Sequence, residues 1–492
     1  MPPLGWKPRC LSDSTGADNF NGDQRYGITL IFGTPFGLGP DRATARTLTR
    51  HSDPAFQLMP RLLLTLVLLV SFAPAAGAQE LSSKERAIAR RIAGQHAADL
   101  ALLERVVNIN SGTHNLDGVR AVGQAFGDEF RRLGFTVRWV SLPDSLKRAG
   151  HLIAERTGRK GKGRRLLLLG HLDTVFEPDS PFQKFERQDT LVRGPGVNDM
   201  KGAIVMMLSA LKALQAEGAL DGSTITVALM GDEEDTGEPA SVARAALVDA
   251  ASRSDVVLGF EGSTYTQAVV ARRGFTSWRL MAHGKQAHSQ GIFRDENSGA
   301  VYELARILDG FYREVRGEPN LSFNPGVILG GTEVSFDTVA LTGSTAGKLN
   351  IIAPEAVAAG DLRYISGDQE QRAREAMQKV VEQHLPGTSA ELTFYGSSPA
   401  MEPKAGNYTL LRELDAVSQA LGSGPVEAQD PGTRGAGDIS YIAARADALD
   451  GLGTLGGGDH SPEEYMNLKA MPVLTQRAAI LIYRLTHRRA GR

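Results

Sequence analysis

The chain has 492 residues, a formal net charge of -2 and 42% hydrophobic residues. That length favours two domains, and the apolar content excludes an intrinsically disordered chain. So small a charge, spread without long blocks, offers neither nucleic acid nor an anionic membrane surface an electrostatic footprint, so neither is expected as a partner.

Taken in chain order, the first informative stretch is Met59-Pro60-Arg61, followed by the apolar run Leu62 to Val70 and by Ala76-Gly77-Ala78. A basic start, a short apolar core and a small-x-small cleavage site make residues 59–78 a secretory signal peptide. The apolar run is too short to span a bilayer, so a secreted or periplasmic protein with no stable membrane anchor is expected. Residues 1–58 read as a non-native upstream extension, with Met59 the true initiator. The only cysteine, Cys10, then falls outside the mature protein, which has no disulfide.

Helical periodicity runs from Ser82 to about Val107 and from Leu116 to Leu133, where Gly134 closes the second helix. Strands follow at Thr136 to Val140, His151 to Ala154 and Arg165 to Leu169, then a helix from Lys201 to Glu217 and a strand from Ser223 to Met230. This alternation predicts an α/β domain with a largely parallel sheet. The basic, glycine-containing run Arg156 to Arg165 reads as a solvated hairpin turn between its apolar neighbours. At Arg272-Arg273-Gly274 the pattern changes to strand, helix, strand, strand, helix, strand, the order of a ferredoxin-like βαββαβ unit. The expected organisation is therefore a first catalytic segment at 79–271, an inserted dimerisation domain at 272–396 and a second catalytic segment at 397–492.

The chemistry sits where strands and glycine turns end. His171 follows Leu166 to Gly170, at the strand edge where α/β proteins place their sites, and Asp173 can orient its imidazole. Asp199 follows Gly194-Pro195-Gly196 at a helix start, where an ordinary N-cap and a two-oxygen bridge between cations both remain open. Glu233 and Glu234 lie in the acidic run Gly231 to Glu238, which is repulsive unless cations or solvent screen it. Glu261 ends the apolar stretch Val256 to Phe260, and His460 precedes a capping-box pattern, Ser461 to Glu464, taken as a helix start. Each element alone has an ordinary reading; the ordered set of two imidazoles and several carboxylates points to two adjacent cations.

In that order and spacing the chain resembles the di-zinc peptidase family of bacterial glutamate carboxypeptidases, aminoacylases and the desuccinylase and deacetylase enzymes of lysine and arginine synthesis. The resemblance implies that Asp199 bridges two zincs, that His171 and Glu261 complete one site and that Glu234 and His460 complete the other. It also implies that Glu233 is the general base rather than a ligand; Asp173, which holds the His171 imidazole, is counted with it as catalytic. Manganese or cobalt could occupy the same ligands. His288 in Gly284-Lys285-Gln286-Ala287-His288, Asn350 and Arg363 match the family's substrate-binding positions, the histidine acting across a homodimer interface. The turn Gly435-Ala436-Gly437-Asp438 is a variant of the family's glycine-rich substrate loop. The family's aminopeptidase branches tend to carry aspartate where this chain has Glu261. The implied activity is thus cleavage of an amide beside a C-terminal carboxylate in a small peptide or N-acyl amino acid. An N-acyl-amino-acid deacylase is the alternative. A non-catalytic binding protein is disfavoured because no ligand or base is missing.

Overall fold

A computed structural model describes residues 80–158, 163–294 and 296–487. The expected extension and signal peptide, 1–58 and 59–78, lie outside the described residues. The catalytic sheet has six strands, in the order Thr136–Val140, His151–Arg156, Ile225–Met230, Leu166–His171, Val256–Gly259 and Asp447–Leu449. The first two pairings are antiparallel and the other three parallel. Leu166–His171 and Ile225–Met230 are buried at every position, as continuous apolar runs in a parallel sheet require. Leu166 and Leu168 face a core shared with the helices Ser83–Val107, Lys201–Ala216 and Ala470–His487. Leu167 and Leu169 face the opposite core, where Leu247, Ala250 and Ile439 pack. The strand period of two thus puts helices on both faces.

The run Arg156 to Arg165 is not a hairpin turn. The strands it joins are separated by Ile225–Met230, which pairs with both. A strand so apolar on both faces is stable only between partners, and it displaces the local pairing that adjacent sequence suggests. The first helix begins as expected: Ser82 and Glu85 form a reciprocal capping box. No helix among the described residues is long and apolar enough to cross a membrane.

The insert is a four-stranded antiparallel sheet in the order Ser322–Gly331, Glu355–Tyr364, Gly274–His283 and Ser389–Ser398, the order of a ferredoxin-like unit. Along Gly274–His283 buried and half-buried residues alternate strictly, so one face carries a core and the other stays open. Trp278 and Leu280 meet Leu304, Ile307 and Phe311 of one helical segment and Met377 and Val380 of the helix Gly367–Val381. One element was not anticipated. Glu333–Asp337 and Thr342–Ala346 form a further antiparallel hairpin, and the second of these strands is exposed at every position.

Candidate metal centre

His171 ends its buried strand on the edge of the catalytic sheet, and its own side chain is buried. Its Nδ1 lies 3.1 Å from the backbone carbonyl of Asp173 and 3.5 Å from that residue's carboxylate. Nε2 is therefore the atom turned outward, 2.9 Å from Asp199 Oδ1 and 3.7 Å from Glu261 Oε1. The Asp173 carboxylate does more than face the ring. It accepts from the Glu233 and Glu234 N–H groups, both at 3.1 Å, and from the Thr113 hydroxyl at 2.7 Å. One buried carboxylate thus fixes both His171 and the loop bearing the two glutamates.

Asp199 is not a helix N-cap. That position is Met200, so the aspartate's oxygens are free for other partners. The loop that carries it is held instead by Glu464, whose buried carboxylate accepts from the N–H groups of Gly196, Asn198 and Asp199 at 3.0, 2.8 and 3.0 Å. This also corrects the expected helix after His460: residues 461–464 form turns leading into the short strand Tyr465–Asn467, and the helix starts only at Ala470. Glu464 turns across to the Asp199 loop rather than back to an N-cap. His460 itself adopts a left-handed conformation, φ 62°, two residues after Gly458 at φ 73°. Its Nε2 comes 3.3 Å from Asp199 Oδ2 and 3.1 Å from Glu234 Oε2.

The two oxygens of Asp199 therefore face two different groups, His171 with Glu261 and His460 with Glu234. Within each group the potential ligand atoms lie within 4.8 Å of one another. One imidazole nitrogen with two carboxylates per group, sharing one bridging carboxylate, suits a pair of zinc-class divalent cations. The electrostatics agree. Burial pushes Asp199 upward, but hydrogen bonds to His171 and His460 outweigh it and hold the carboxyl well below its ordinary range. Asp199 and Glu234 raise His460 to about 11, so its ring takes the positive charge that these carboxylates demand. Glu233 belongs to neither group. Burial pushes its carboxyl well above the ordinary range; His171 opposes this, while Glu261, Asp438 and Glu234 add to it.

Residues 167–484 match the model of the peptidase family M20/M25/M40. The chain belongs to that family. It is 27% identical over 419 residues to carboxypeptidase G2 of Pseudomonas sp. (strain RS-16), covering 83% of this chain and 94% of the relative. It is also 27% identical over 364 residues to succinyl-diaminopimelate desuccinylase of Acidiphilium cryptum (strain JF-5), covering 71% and 88%. Among solved structures, the aminopeptidase PepT from Bacillus cereus ATCC 10987 matches with a TM-score of 0.64 at 16% identity, covering 81% of this chain and 98% of that one. This peptidase is accordingly a hydrolase on the family's α/β scaffold.

Two cavities open on the M20 site, of about 310 and 430 Å³, and Glu233 and His460 line both. His288 and Asn350 are exposed, brought side by side by a bridge between His288 and Ile351 and by the Ser289 N–H donating to the Asn350 carbonyl at 2.9 Å. Arg363 donates to Asp361 at 2.7 Å and lies 5.1 Å above the ring of Phe275, which lines the larger cavity. None of the three lines either cavity within the one chain.

Several residues of the site escaped sequence reasoning. Arg244, fully buried, donates at 2.6 Å both to Asp232 beside Glu233 and to Asp438 of the glycine-rich loop, tying those two loops together. His151 holds the same corner: its Nδ1 accepts from the Gly231 N–H at 3.2 Å, and Nε2 lies 2.8 Å from the Ala243 carbonyl. Arg272 and Arg434 line the smaller cavity. Arg272 stood at a domain boundary and Glu464 within a capping pattern, but nothing local marks Arg244.

Proposed function

We propose that this M20 peptidase is a zinc-dependent hydrolase of the glutamate carboxypeptidase type, cleaving an amide bond beside a C-terminal free carboxylate. The observation that carries the reading is the division of the Asp199 oxygens between two ligand groups, with Glu233 half-buried beside both and part of neither. His171, Asp199 and Glu261 would hold one zinc, and Asp199, Glu234 and His460 the other. Cations there supply Lewis acidity, polarising the scissile carbonyl and making the attacking water more acidic. Glu233 takes the proton from that water and delivers it to the leaving nitrogen, a role suited to a carboxyl that burial raises well above its ordinary range. Asp173 keeps Glu233 in place through the backbone of its loop. Arg363 and Asn350 bind the substrate carboxylate, the guanidinium offering two parallel donors. His288 completes the site of a second subunit in a homodimer formed through the insert, which accounts for its distance from either cavity of its own chain.

Similarity to a desuccinylase supports a second reading, in which the substrate is an N-acyl amino acid and the enzyme a deacylase. In both readings the protein is exported, and N-terminal sequencing of the exported form should begin at Gln79. The chemistry is tested by Glu233→Gln. Metal content should stay at two per chain while turnover falls about 10²- to 10⁴-fold, the usual contribution of a general base. A variant with wild-type rates would remove Glu233 from the mechanism. Loss of a metal would make it a ligand.

A further inference from the structure

The two cavities flank the loop 435–437, and both are lined by carboxylates, but only the smaller also carries guanidinium groups. The larger is walled by Glu234, Asp235, Glu238 and Asp438, and the smaller carries two guanidinium groups, Arg272 and Arg434. Arg272 is committed within the chain: its Nε donates to Asp450 at 2.7 Å and its Nη1 to the Gly435 carbonyl at 3.0 Å. Arg434 is not. Its Nη2 donates to the Gly262 carbonyl at 3.1 Å, its Nε is buried without a partner, and no carboxylate among the described residues pairs with it. A half-buried guanidinium without an anion bears a desolvation cost that one carbonyl offsets only in part. The missing anion has one place to come from, because the cavity Arg434 lines is also lined by Asp199, Glu233, Glu261 and His460.

We propose that Arg434 is a specificity-determining residue that binds a second substrate carboxylate, carried a few bonds from the scissile amide and lying in the smaller cavity. This rests on the hydrolase reading above and narrows it: the substrate is an amide with two carboxylates, one held by the insert and one by Arg434. The second carboxylate can belong to an acidic side chain on the amine side of the amide or to a diacid on its acyl side. Both present the same chemistry to Arg434.

Two matched ligand pairs separate these sources. N-acetylglutamate against N-acetylglutamine changes only the side-chain charge, and N-succinylalanine against N-succinamoylalanine changes only the acyl charge. Binding is measured by calorimetry on the zinc-loaded Glu233→Gln protein, and turnover on the active enzyme. For one pair the carboxylate member should bind about 10- to 100-fold more tightly, the range of a hydrogen bond to a charged group. Adding Arg434→Gln should bring that ratio to within about threefold of unity, while Arg434→Lys, which keeps the charge but loses the fork, should retain part of it. Equal binding within both pairs, a ratio that survives Arg434→Gln, or an equal loss for both members of a pair would overturn the proposal. Selective binding without turnover by the active enzyme would leave Arg434 in its role and sink the hydrolase reading. Turnover without selectivity would do the reverse.

Discussion

Glu464 lines neither cavity of the site, yet the backbone of the loop that presents Asp199 is tied to it. Glu464 holds the Asp199 loop through three backbone N–H groups, its Oε1 accepting from Asn198 and Asp199 and its Oε2 from Gly196. Glu464→Gln preserves size but places an NH₂ group where Oε2 stood, so the Gly196 N–H faces a donor. A buried unsatisfied donor costs about 1–3 kcal/mol, and the two surviving bonds weaken by about 1 kcal/mol each on passing from a charged to a neutral acceptor. Against this stands the burial that pushes the Glu464 carboxyl up to about 7, a cost that the amide does not bear. A net penalty of up to about 2 kcal/mol remains, and if it falls on the loop that presents Asp199, metal affinity drops by up to about 30-fold. Competition against a chromophoric chelator measures that affinity, and thermal unfolding of the metal-free variant shows how much of the penalty falls on the fold instead. A folded Glu464→Gln protein that binds both metals as tightly as wild type would refute the reasoning. Asp199 would then be placed by something other than Glu464.

The remaining predictions concern the ligands, the pH response and the assembly. His171→Ala and His460→Ala lie on opposite sides of Asp199, so elemental analysis should find close to one metal per chain in each; full double occupancy in either would remove that histidine from the ligand set. In the metal-free protein Asp199 and Glu234 raise the His460 pKa from its ordinary 6.5 to about 11, so the stabilisation it contributes is complete below the ordinary value and is lost as pH rises through the raised one. The thermal midpoint of the metal-free protein should therefore fall with rising pH across that window more steeply than that of His460→Gln, and parallel curves would contradict the ion pairs. Finally, mixing inactive Glu233→Gln and His288→Ala subunits should restore one competent site in each mixed dimer; proven exchange with no recovered activity would confine His288 to its own chain.

Much of the site could be read from the sequence because each proposed ligand follows a signal of its own. His171 and Glu261 end apolar strands, Asp199 follows a glycine turn, and Glu234 stands in an acidic run that needs neutralising. The misreadings share a cause. Ser461 to Glu464 has the spacing of a capping box, and no local pattern shows that the glutamate reaches back to Gly196. Arg156 to Arg165 has the look of a turn because the strand that separates its neighbours lies much later in the chain. The strand Thr342–Ala346 was invisible because a fully exposed hairpin arm has no alternation of apolar residues to mark it. Contacts between distant segments decided each case, and periodicity carries no record of them. The insert was easier, since its helices and strands follow one another in one uninterrupted stretch of chain and share a single core around Trp278.

The spread of the ligand groups, from His171 to His460, also bears on how the molecule holds together. Divalent cations in these positions would tie five separate chain segments at one point and close long loops through both parts of the catalytic domain. That is the work cross-links do in many exported proteins, and the only cysteine here, Cys10, lies far upstream of every one of those segments. Binding to the folded chain alone would stabilise it by mass action, in proportion to the logarithm of free metal over its dissociation constant. Metal supply would then govern lifetime as well as turnover: a cell short of that metal would lose the protein to unfolding and proteolysis, and not only its activity.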